Sequence, residues 1–228
     1  MKNILNFYTL DVFTDQIFGG NPLAIFTDAY KIKSSSLQKI AAEINYSETA
    51  FIFPPENPCN AAKVRIFTPQ NELPFAGHPN VGAGYLLASK PDLIPGQANN
   101  DLLIFEEKAG LVNIRPNRNE DGTIETISIT APQKITMGRT LPPDLIAAAV
   151  NLKLSEIETV RTEPIIAGTG ILFAIAEVKS RDALAACVVN NRLFNKLDSI
   201  YGYQEDFFSL LVFFEADDGI LHTRMFAP

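Results

Sequence analysis

The segment from residue 79 to 89 constrains the fold of this chain more than any other feature. It has the pattern of a helix, yet it is small and apolar on nearly every side: Val81, Gly82, Ala83, Gly84, Leu86, Leu87 and Ala88. A helix that is apolar all round is a buried helix, and its glycines let strands approach it closely. The sequence therefore predicts one helix enclosed by other elements.

Strands and further helices are predicted on both sides of this helix. Runs rich in β-branched and aromatic residues predict strands at 4–13, 23–26, 48–54, 61–67, 102–106, 111–114, 126–131, 171–178, 208–215 and 220–225. Apolar residues at helical spacing predict helices at 34–45, 143–151, 180–189 and 192–200. The polar, turn-rich run 117–122 is the best candidate for a junction, so we expect two domains, 1–116 and 117–228.

The two halves share a short sequence. Val-Arg-Ile-Phe-Thr-Pro at 64–69 ends a predicted strand in the first half, and Thr-Arg-Met-Phe-Ala-Pro at 223–228 ends one in the second. One six-residue match is weak evidence for duplication. Its position matters more, because the first copy leads into an acidic loop and the buried helix, whereas nothing follows the second copy.

Composition narrows the class of protein. The chain has 228 residues, of which 46% are apolar and 20% charged, as in globular proteins. A net charge of −7 argues against a nucleic-acid binder or a protein of anionic membrane surfaces. Two cysteines form no disulfide framework, and no signal peptide or 20-residue apolar run is apparent. We expect a soluble protein of the cytoplasm.

Neither a cofactor nor a metal is expected. The sequence has no Walker or Rossmann motif, which leaves a nucleotide cofactor without support. Two histidines and two distant cysteines, Cys59 and Cys187, make a zinc site improbable.

Glu48 is the first candidate for chemistry. It stands where a predicted helix gives way to a strand. Burial can raise the pKa of a carboxylate at the mouth of an apolar element, as a general base for carbon acids requires. The plainer interpretation is a solvated glutamate at a strand entrance.

His78 is the second candidate, because it opens the buried helix. Pro79 has no N–H and suits the first turn of a helix. The amides of Asn80 and Val81 would then face outward at the positive end of the helix dipole, which favours a carboxylate or phosphate. His78 beside them could orient the anion or move protons. A tight helix entry with a capping imidazole is the alternative.

Five motifs resemble, in order, the signatures of the PhzF-like proteins of phenazine biosynthesis. They are Asp-Val-Phe-Thr at 11–14, Gly-Asn-Pro-Leu-Ala at 20–24, Asn-Tyr-Ser-Glu-Thr at 45–49, Arg-Ile-Phe-Thr-Pro at 65–69 and Glu-Leu-Pro-Phe-Ala-Gly-His-Pro at 72–79. The second half matches more loosely, chiefly at 224–228. The resemblance implies an α+β, diaminopimelate epimerase-like fold, in which two similar curled sheets each surround a central helix and the active site lies between them.

The resemblance also implies that the second half is incomplete. In the family, the motif that corresponds to residues 225–228 is followed by a second acidic loop. That loop carries an aspartate of the active site and precedes the second central helix. We therefore expect the second half to lack its central helix and to expose an apolar sheet face, which would drive association.

The implied activity is that of a cofactor-independent isomerase. It would move a proton and a double bond on a small carboxylate that resembles dihydro-hydroxyanthranilate. Glu48 would be the general acid/base and His78 its proton-handling or orienting partner, with Ser47 and Gly77 lining the substrate pocket. By analogy with the family we expect a homodimer. The whole interpretation requires Glu48 to lie close to the imidazole of His78.

Two other functions stay open. The chain could be a catalytically silent binding or assembly module, or a fragment, because the second half-site is missing. An amino-acid epimerase would suit the implied fold, but Gly77 stands where such relatives have a cysteine base, so racemisation by two thiols is not expected.

Overall fold

The computed structural model describes residues 5–97, 101–169, 172–201 and 208–227. Ile4, Ile171 and Pro228, at which predicted elements begin or end, lie outside the described residues. The chain divides into two compact units, Met1–Gln133 and Lys134–Pro228.

The described part of the first unit contains eight strands and two α-helices. They are β1 (Tyr8–Val12), β2 (Asn21–Phe26), α1 (Ser34–Ile44), β3 (Glu48–Phe53), β4 (Ala62–Phe67), β5 (Glu72–Leu73), α2 (Gly77–Ser89), β6 (Leu103–Glu107), β7 (Gly110–Arg118) and β8 (Ile124–Thr130). The strands form one sheet in the order β1-β2-β3-β4-β6-β7-β8, and β5 pairs with β4. Pairing is antiparallel except between β2 and β3 and between β4 and β6.

The sheet of the first unit curls around α2. Strands β1 and β8 lie at opposite ends of the sheet, yet both contact this helix. Nine of the thirteen residues of α2 are buried, which confirms the enclosed helix predicted from composition. A Cβ atom at Gly82 would lie 2.5 Å from Leu23 Cδ2 and 2.9 Å from Val12 Cγ2. Glycine therefore permits the close approach of the helix to β1 and β2.

The other face of this sheet is covered by α1. Its buried residues Leu37 and Ala41 pack in one apolar cluster with Phe26, Phe51 and Phe67 of the strands. The first sheet is thus covered on both faces, which explains why strands such as β3 are apolar at consecutive positions.

The described part of the second unit contains five strands and three α-helices. They are β9 (Thr136–Thr140), α3 (Pro143–Ala149), β10 (Ile165–Gly168), β11 (Leu172–Glu177), α4 (Arg181–Ala186), α5 (Asn191–Tyr201), β12 (Leu210–Glu215) and β13 (Leu221–Phe226). The sheet order is β13-β12-β11-β10-β9. The β11–β12 pair is parallel and the others are antiparallel.

One face of the second sheet forms the core of its unit. It packs with residues of α3, α4 and α5 in a single apolar cluster that includes Ala174, Leu210 and Val212. The register places alternate residues on the opposite face, among them Phe173, Ile175, Leu211, Phe213 and Met225. These five side chains are half-buried or exposed, and none belongs to an apolar cluster of the described residues.

Three features differ from the sequence-based predictions. The boundary between the units lies at 133/134 rather than 116/117, because β8 pairs with β7 along its whole length and so continues the first sheet. Helix α2 begins at Gly77 rather than Pro79. Strands β5, β9 and β10 were not predicted, since β5 has only two residues, β10 four, and every residue of β9 is exposed.

Candidate active site

Glu48 is placed by the turn that separates α1 from β3. Helix α1 ends at Ile44, and Asn45 adopts a left-handed conformation with φ of 56°, which reverses the chain. Asparagine tolerates this conformation better than most residues. Tyr46 and Ser47 follow, and Glu48 is the first residue of β3. Because β3 lies between β2 and β4, the carboxylate is held at the end of a central strand.

His78 is placed by the first turn of α2. The residue before the helix, Ala76, has no side chain that can accept a hydrogen bond from the first turn. The N–H groups at a helix start have no intrahelical acceptor, and Pro79 removes one of them without cost. The open N–H groups and the imidazole therefore share one end of a buried helix.

The structure brings Glu48 and His78 into contact. His78 Nδ1 and Glu48 Oε2 are 2.7 Å apart, with side chains that are 7% and 21% exposed respectively. With the carboxylate ionised, Nδ1–H donates this bond. Nε2 is then a free acceptor in a neutral ring and a second N–H donor in a cationic ring. Nε2 is buried and finds no hydrogen-bond partner among the described residues. The pair is chemically suited to exchange a proton with a ligand.

The three residues expected to bind the substrate lie close to this pair in sequence but differ in environment. Ser47 is exposed, and its hydroxyl donates to Asn21 Oδ1 at 3.0 Å. A Cβ atom at Gly77 would meet only Ile129 Cδ1, at 3.8 Å, so the backbone there is open. The side chain of Asn80 is fully buried and donates to the Ala76 carbonyl at 2.9 Å. That leaves only its backbone N–H for an anion.

Phe13 is a neighbour of His78 that the sequence analysis did not single out. The two ring centroids are 6.3 Å apart, and Phe13 is 71% exposed. Its φ of 65° is unusual for a bulky residue. The sequence pattern does not indicate this conformation. It predicts a strand at 4–13 and hence an extended backbone at Phe13, whereas β1 ends at Val12.

The two cysteines differ in environment. Cys59 is exposed in the first unit and Cys187 is buried in the second. Burial raises the pKa of the Cys187 thiol, which donates to the Ala183 carbonyl. No group of three or more His, Cys, Asp or Glu side chains suited to a metal occurs in the described ranges. None of the described helices is long and apolar enough to cross a membrane.

Residues 10–228 match the model of a protein family described as phenazine biosynthesis-like proteins (PhzC-PhzF). The chain belongs to this family. The motifs quoted above from the first half, with Glu48 and His78 among them, fall within the matched range.

Two relatives are named as isomerases. An uncharacterized isomerase of Mesorhizobium japonicum is 31% identical over 193 residues, which make up 84% of this chain and 62% of the relative. A trans-2,3-dihydro-3-hydroxyanthranilate isomerase of Pseudomonas chlororaphis is 36% identical over 127 residues, or 56% of this chain and 42% of the relative. The chain thus spans less than two thirds of the length of either.

A solved structure of a PhzF-family phenazine biosynthesis protein from Bacillus anthracis has the same fold. The TM-score is 0.79 at 26% identity, and the match covers 98% of this chain and 72% of the other. The α+β fold with curled sheets is therefore that of the family. A match along nearly the whole chain does not support the expectation that the second half is incomplete.

Proposed function

We propose that this protein is a cofactor-independent isomerase that moves a proton between two carbons of a small carboxylated metabolite. The observation that carries the proposal is the 2.7 Å contact of Glu48 with His78, together with the buried, unpartnered Nε2 of that ring. Relatives named as isomerases support the reaction class. A metabolite that resembles dihydro-hydroxyanthranilate is the proposed substrate, after the name of one of them.

The proposed reaction needs only one base that can also act as an acid. The bond to His78 occupies Oε2 of Glu48, and Oε1 is the oxygen that would face the substrate. Glu48 takes a proton from an acidic C–H, the electron pair left behind shifts the double bond, and the same carboxyl returns the proton at another carbon. Atoms and electrons balance without an oxidant or reductant. His78 orients the carboxylate and handles the proton through its ring nitrogens.

The substrate carboxylate would bind at the start of α2. The N–H groups of the first turn, including that of Asn80, have no capping side chain, and the helix dipole favours an anion there. Charge that develops on the substrate during proton removal would be stabilised by the same groups. Phe13 would cover one side of the reacting ring, and the hydroxyl of Ser47 would contact the substrate at its rim.

Exchange of substrate hydrogen with solvent tests this assignment. The wild-type protein, incubated with trans-2,3-dihydro-3-hydroxyanthranilate in D₂O, should incorporate deuterium at carbon, as followed by NMR. Glu48→Gln should slow this exchange by a factor of about 10² to 10⁴, the usual contribution of a general acid/base. Glu43→Gln, in the exposed face of α1, is the matched control and should exchange at the wild-type rate. Exchange that persists in Glu48→Gln would reject the role of this carboxylate.

A binding or assembly module is the second candidate, favoured by the half-exposed apolar face of the second sheet. Side chains such as Phe173 and Leu211 on that face would be covered in a homodimer. Sedimentation of the purified chain should then show a dimer. A monomer across the accessible concentration range would remove both the predicted homodimer and this candidate.

A further inference from the structure

Glu107 lies on the face of the first sheet that packs against α2. Leu103 and Phe105 of the same strand, β6, belong to the apolar cluster that also contains Leu86 and Leu87 of the helix. Alternate side chains of a strand share a face, so Glu107 follows these two residues toward the helix. Both of its carboxylate oxygens are buried, and neither has a hydrogen-bond partner among the described residues.

The neighbour of this carboxyl group on the helix is Asn80. Its side chain is fully buried, and the nearby amide opposes in part the effect of burial on the pKa of Glu107. One amide N–H donates to the Ala76 carbonyl at 2.9 Å, but Oδ1 has no partner among the described residues. An unsatisfied acceptor and an unsatisfied carboxyl group are thus neighbours in the interior of the first unit.

A proton on Glu107 would satisfy both groups. An amide oxygen and an ionised carboxylate only accept hydrogen bonds, so they cannot pair with each other. A protonated carboxyl has an O–H that can donate to Asn80 Oδ1, and the second N–H of the amide can then donate to the other carboxyl oxygen. Because unpaired polar groups in the interior are costly, this arrangement stabilises both residues.

Among the described residues, no charged side chain pairs with Glu107. His78 of α2 is bonded to Glu48, and Lys108 in the turn after β6 is exposed. The alternation of β4, β6 and β7 places four charged side chains on the other face of the sheet, where Glu72 of β5 is bonded to one of them: Lys63, Arg65, Glu106 and Arg115. Burial therefore dominates, and it raises the pKa of Glu107 to about 8.

We propose that Glu107 is a positioning residue of the isomerase site: as a neutral acid it bonds to Asn80 and thereby holds the first turn of α2, where the substrate carboxylate would bind. This inference rests on the proposed function. Asn80 lies in the first turn of the helix, and its other bond reaches Ala76, the residue just before the helix. A bond from Glu107 to the Asn80 amide would fix this connection.

The turn between β6 and β7 supports the same end of the helix. The N–H of Ala109 in this turn donates to the Pro74 carbonyl at 3.0 Å, which ties down the segment that leads into α2. His78 and Asn80 are two residues apart and so reach opposite sides of the helix, about 200° apart. Glu48 would then hold the helix start on one side, and Glu107 would hold it on the other.

The neutral form of Glu107 is the one that suits an anionic substrate. The N–H groups at the start of α2 have no capping side chain, and the helix dipole favours an anion there. An ionised Glu107 would add a second negative charge near the same helix end and repel the substrate carboxylate. Ionisation should therefore weaken substrate binding, whereas proton transfer by Glu48 and His78 should change little.

Titration of the Asn80 side-chain amide tests the hydrogen bond without substrate. In the ¹⁵N-labelled wild-type protein, the chemical shift of this amide should change with an apparent pKa near 8. In Glu107→Gln, which keeps a donor but cannot ionise, the shift should stay constant over the same pH range. An amide that does not titrate in the wild type, or that titrates equally in Glu107→Gln, would overturn the proposal.

Steady-state kinetics with trans-2,3-dihydro-3-hydroxyanthranilate tests the positioning role. From pH 7 to pH 9.5, the KM of the wild type should rise about tenfold relative to that of Glu107→Gln, with the ratio of their kcat values changed by less than about twofold. Glu107→Met, which has no donor, should have a KM raised about tenfold already at pH 7. Glu125→Gln, at an exposed position of β8, is the matched control and should keep the wild-type rise.

Failure of this inference and failure of the proposed function give different results. A wild-type protein without isomerase activity at pH 7 would refute the proposed function, and the amide titration, which needs no substrate, would still decide whether Glu107 bonds to Asn80. An active wild type whose KM follows that of Glu107→Gln at every pH would refute the positioning role alone.

Discussion

The two sheets of this protein differ in how many of their faces are covered. In the first, β3 has consecutive apolar residues, and both Phe51 and Ile52 are fully buried because α1 covers one face and α2 the other. In the second, β12 is equally apolar, yet full burial alternates along it: Leu210 and Val212 are fully buried, whereas Phe213 is not. A continuously apolar strand is typical of a sheet that is packed on both faces. In the second unit the described residues pack against only one face.

The similar sequences at 64–69 and 223–228 also differ between the two units, in the partners of their arginines. Arg65 and Arg224 each lie over the phenylalanine two residues later, at 5.1 and 5.0 Å from the ring centroid. Their other partners differ. Arg65 binds the Glu72 carboxylate, whereas Arg224 donates to the carbonyls at the end of α4. The repeated sequence thus fixes a local stacking geometry but not the tertiary role of the charge.

Removal of one aromatic ring from each sheet should give the largest difference in stability loss between the two units. Phe51→Ala should lower the free energy of unfolding of the first unit by about 3–5 kcal/mol, because it leaves a cavity in a core covered on both sides. Phe213→Ala should cost the second unit less than about 1 kcal/mol, since its ring is only half-buried. Denaturant unfolding of each variant measures both values. A large loss for Phe213→Ala would show that its face is covered after all.

A buried carboxyl should make the first unit sensitive to pH. The pKa of Glu107 is raised by burial to about 8 in the folded state, against 4.5 in the unfolded chain. Between these two values the unfolded chain has lost the proton that the folded protein keeps, so stability falls as the pH rises through this window. At about 1.4 kcal/mol per pKa unit, we expect a loss of roughly 2–4 kcal/mol from pH 5 to pH 9.

Variants isolate the contribution of Glu107 to that profile. Glu107→Gln should remove most of the decline, as measured by denaturant unfolding at the two pH values. Glu125→Gln, at an exposed position of β8, should leave it unchanged. Glu177, a buried glutamate of the second unit, forms an ion pair with Arg161 and so differs from Glu107 in having a cationic partner. An unaltered decline in Glu107→Gln would mean that other groups titrate in this range.

Substitution of the two arginines should give the smallest difference in stability loss between the two units. Arg224→Met should cost about 1–3 kcal/mol, because three carbonyls at the end of α4 lose a charged donor. Arg65→Met should cost no more than about 1 kcal/mol, since Glu72 is 29% exposed and can be hydrated instead. Thermal unfolding of the two variants, side by side, checks the order. Equal losses would indicate that the shared stacking on phenylalanine dominates at both sites.

Much of this fold could be predicted from local patterns. The enclosed helix followed from composition alone, and most long strands followed from apolar and aromatic runs. The patterns failed where the structure depends on distant partners. Strand β9 is exposed throughout and pairs only because β10 lies beside it, so no alternation marks it. The turn-rich run at 117–122 indicated a domain junction, but it joins β7 and β8 as a hairpin within the first sheet.

The candidate site was predictable to a similar degree. Glu48 and His78 were named because one stands at a strand entrance and the other at a helix start, and the structure brings them within 2.7 Å. The left-handed backbone at Phe13 could not be foreseen, because a bulky residue rarely adopts it. No sequence pattern indicates that the carboxylate oxygens of Glu107 are buried, because this depends on tertiary packing.

The glycine at position 82 has a consequence for the chemistry of the first unit. It lies one helical turn after His78, on the side of α2 that rests against β1 and β2. The thickness of the side chain there sets how far the helix stands from the sheet, and thus the reach of the imidazole toward the end of β3. An added methyl group would press on Leu23 and Val12, so we expect even alanine at this position to disturb the alignment of the carboxylate with the imidazole.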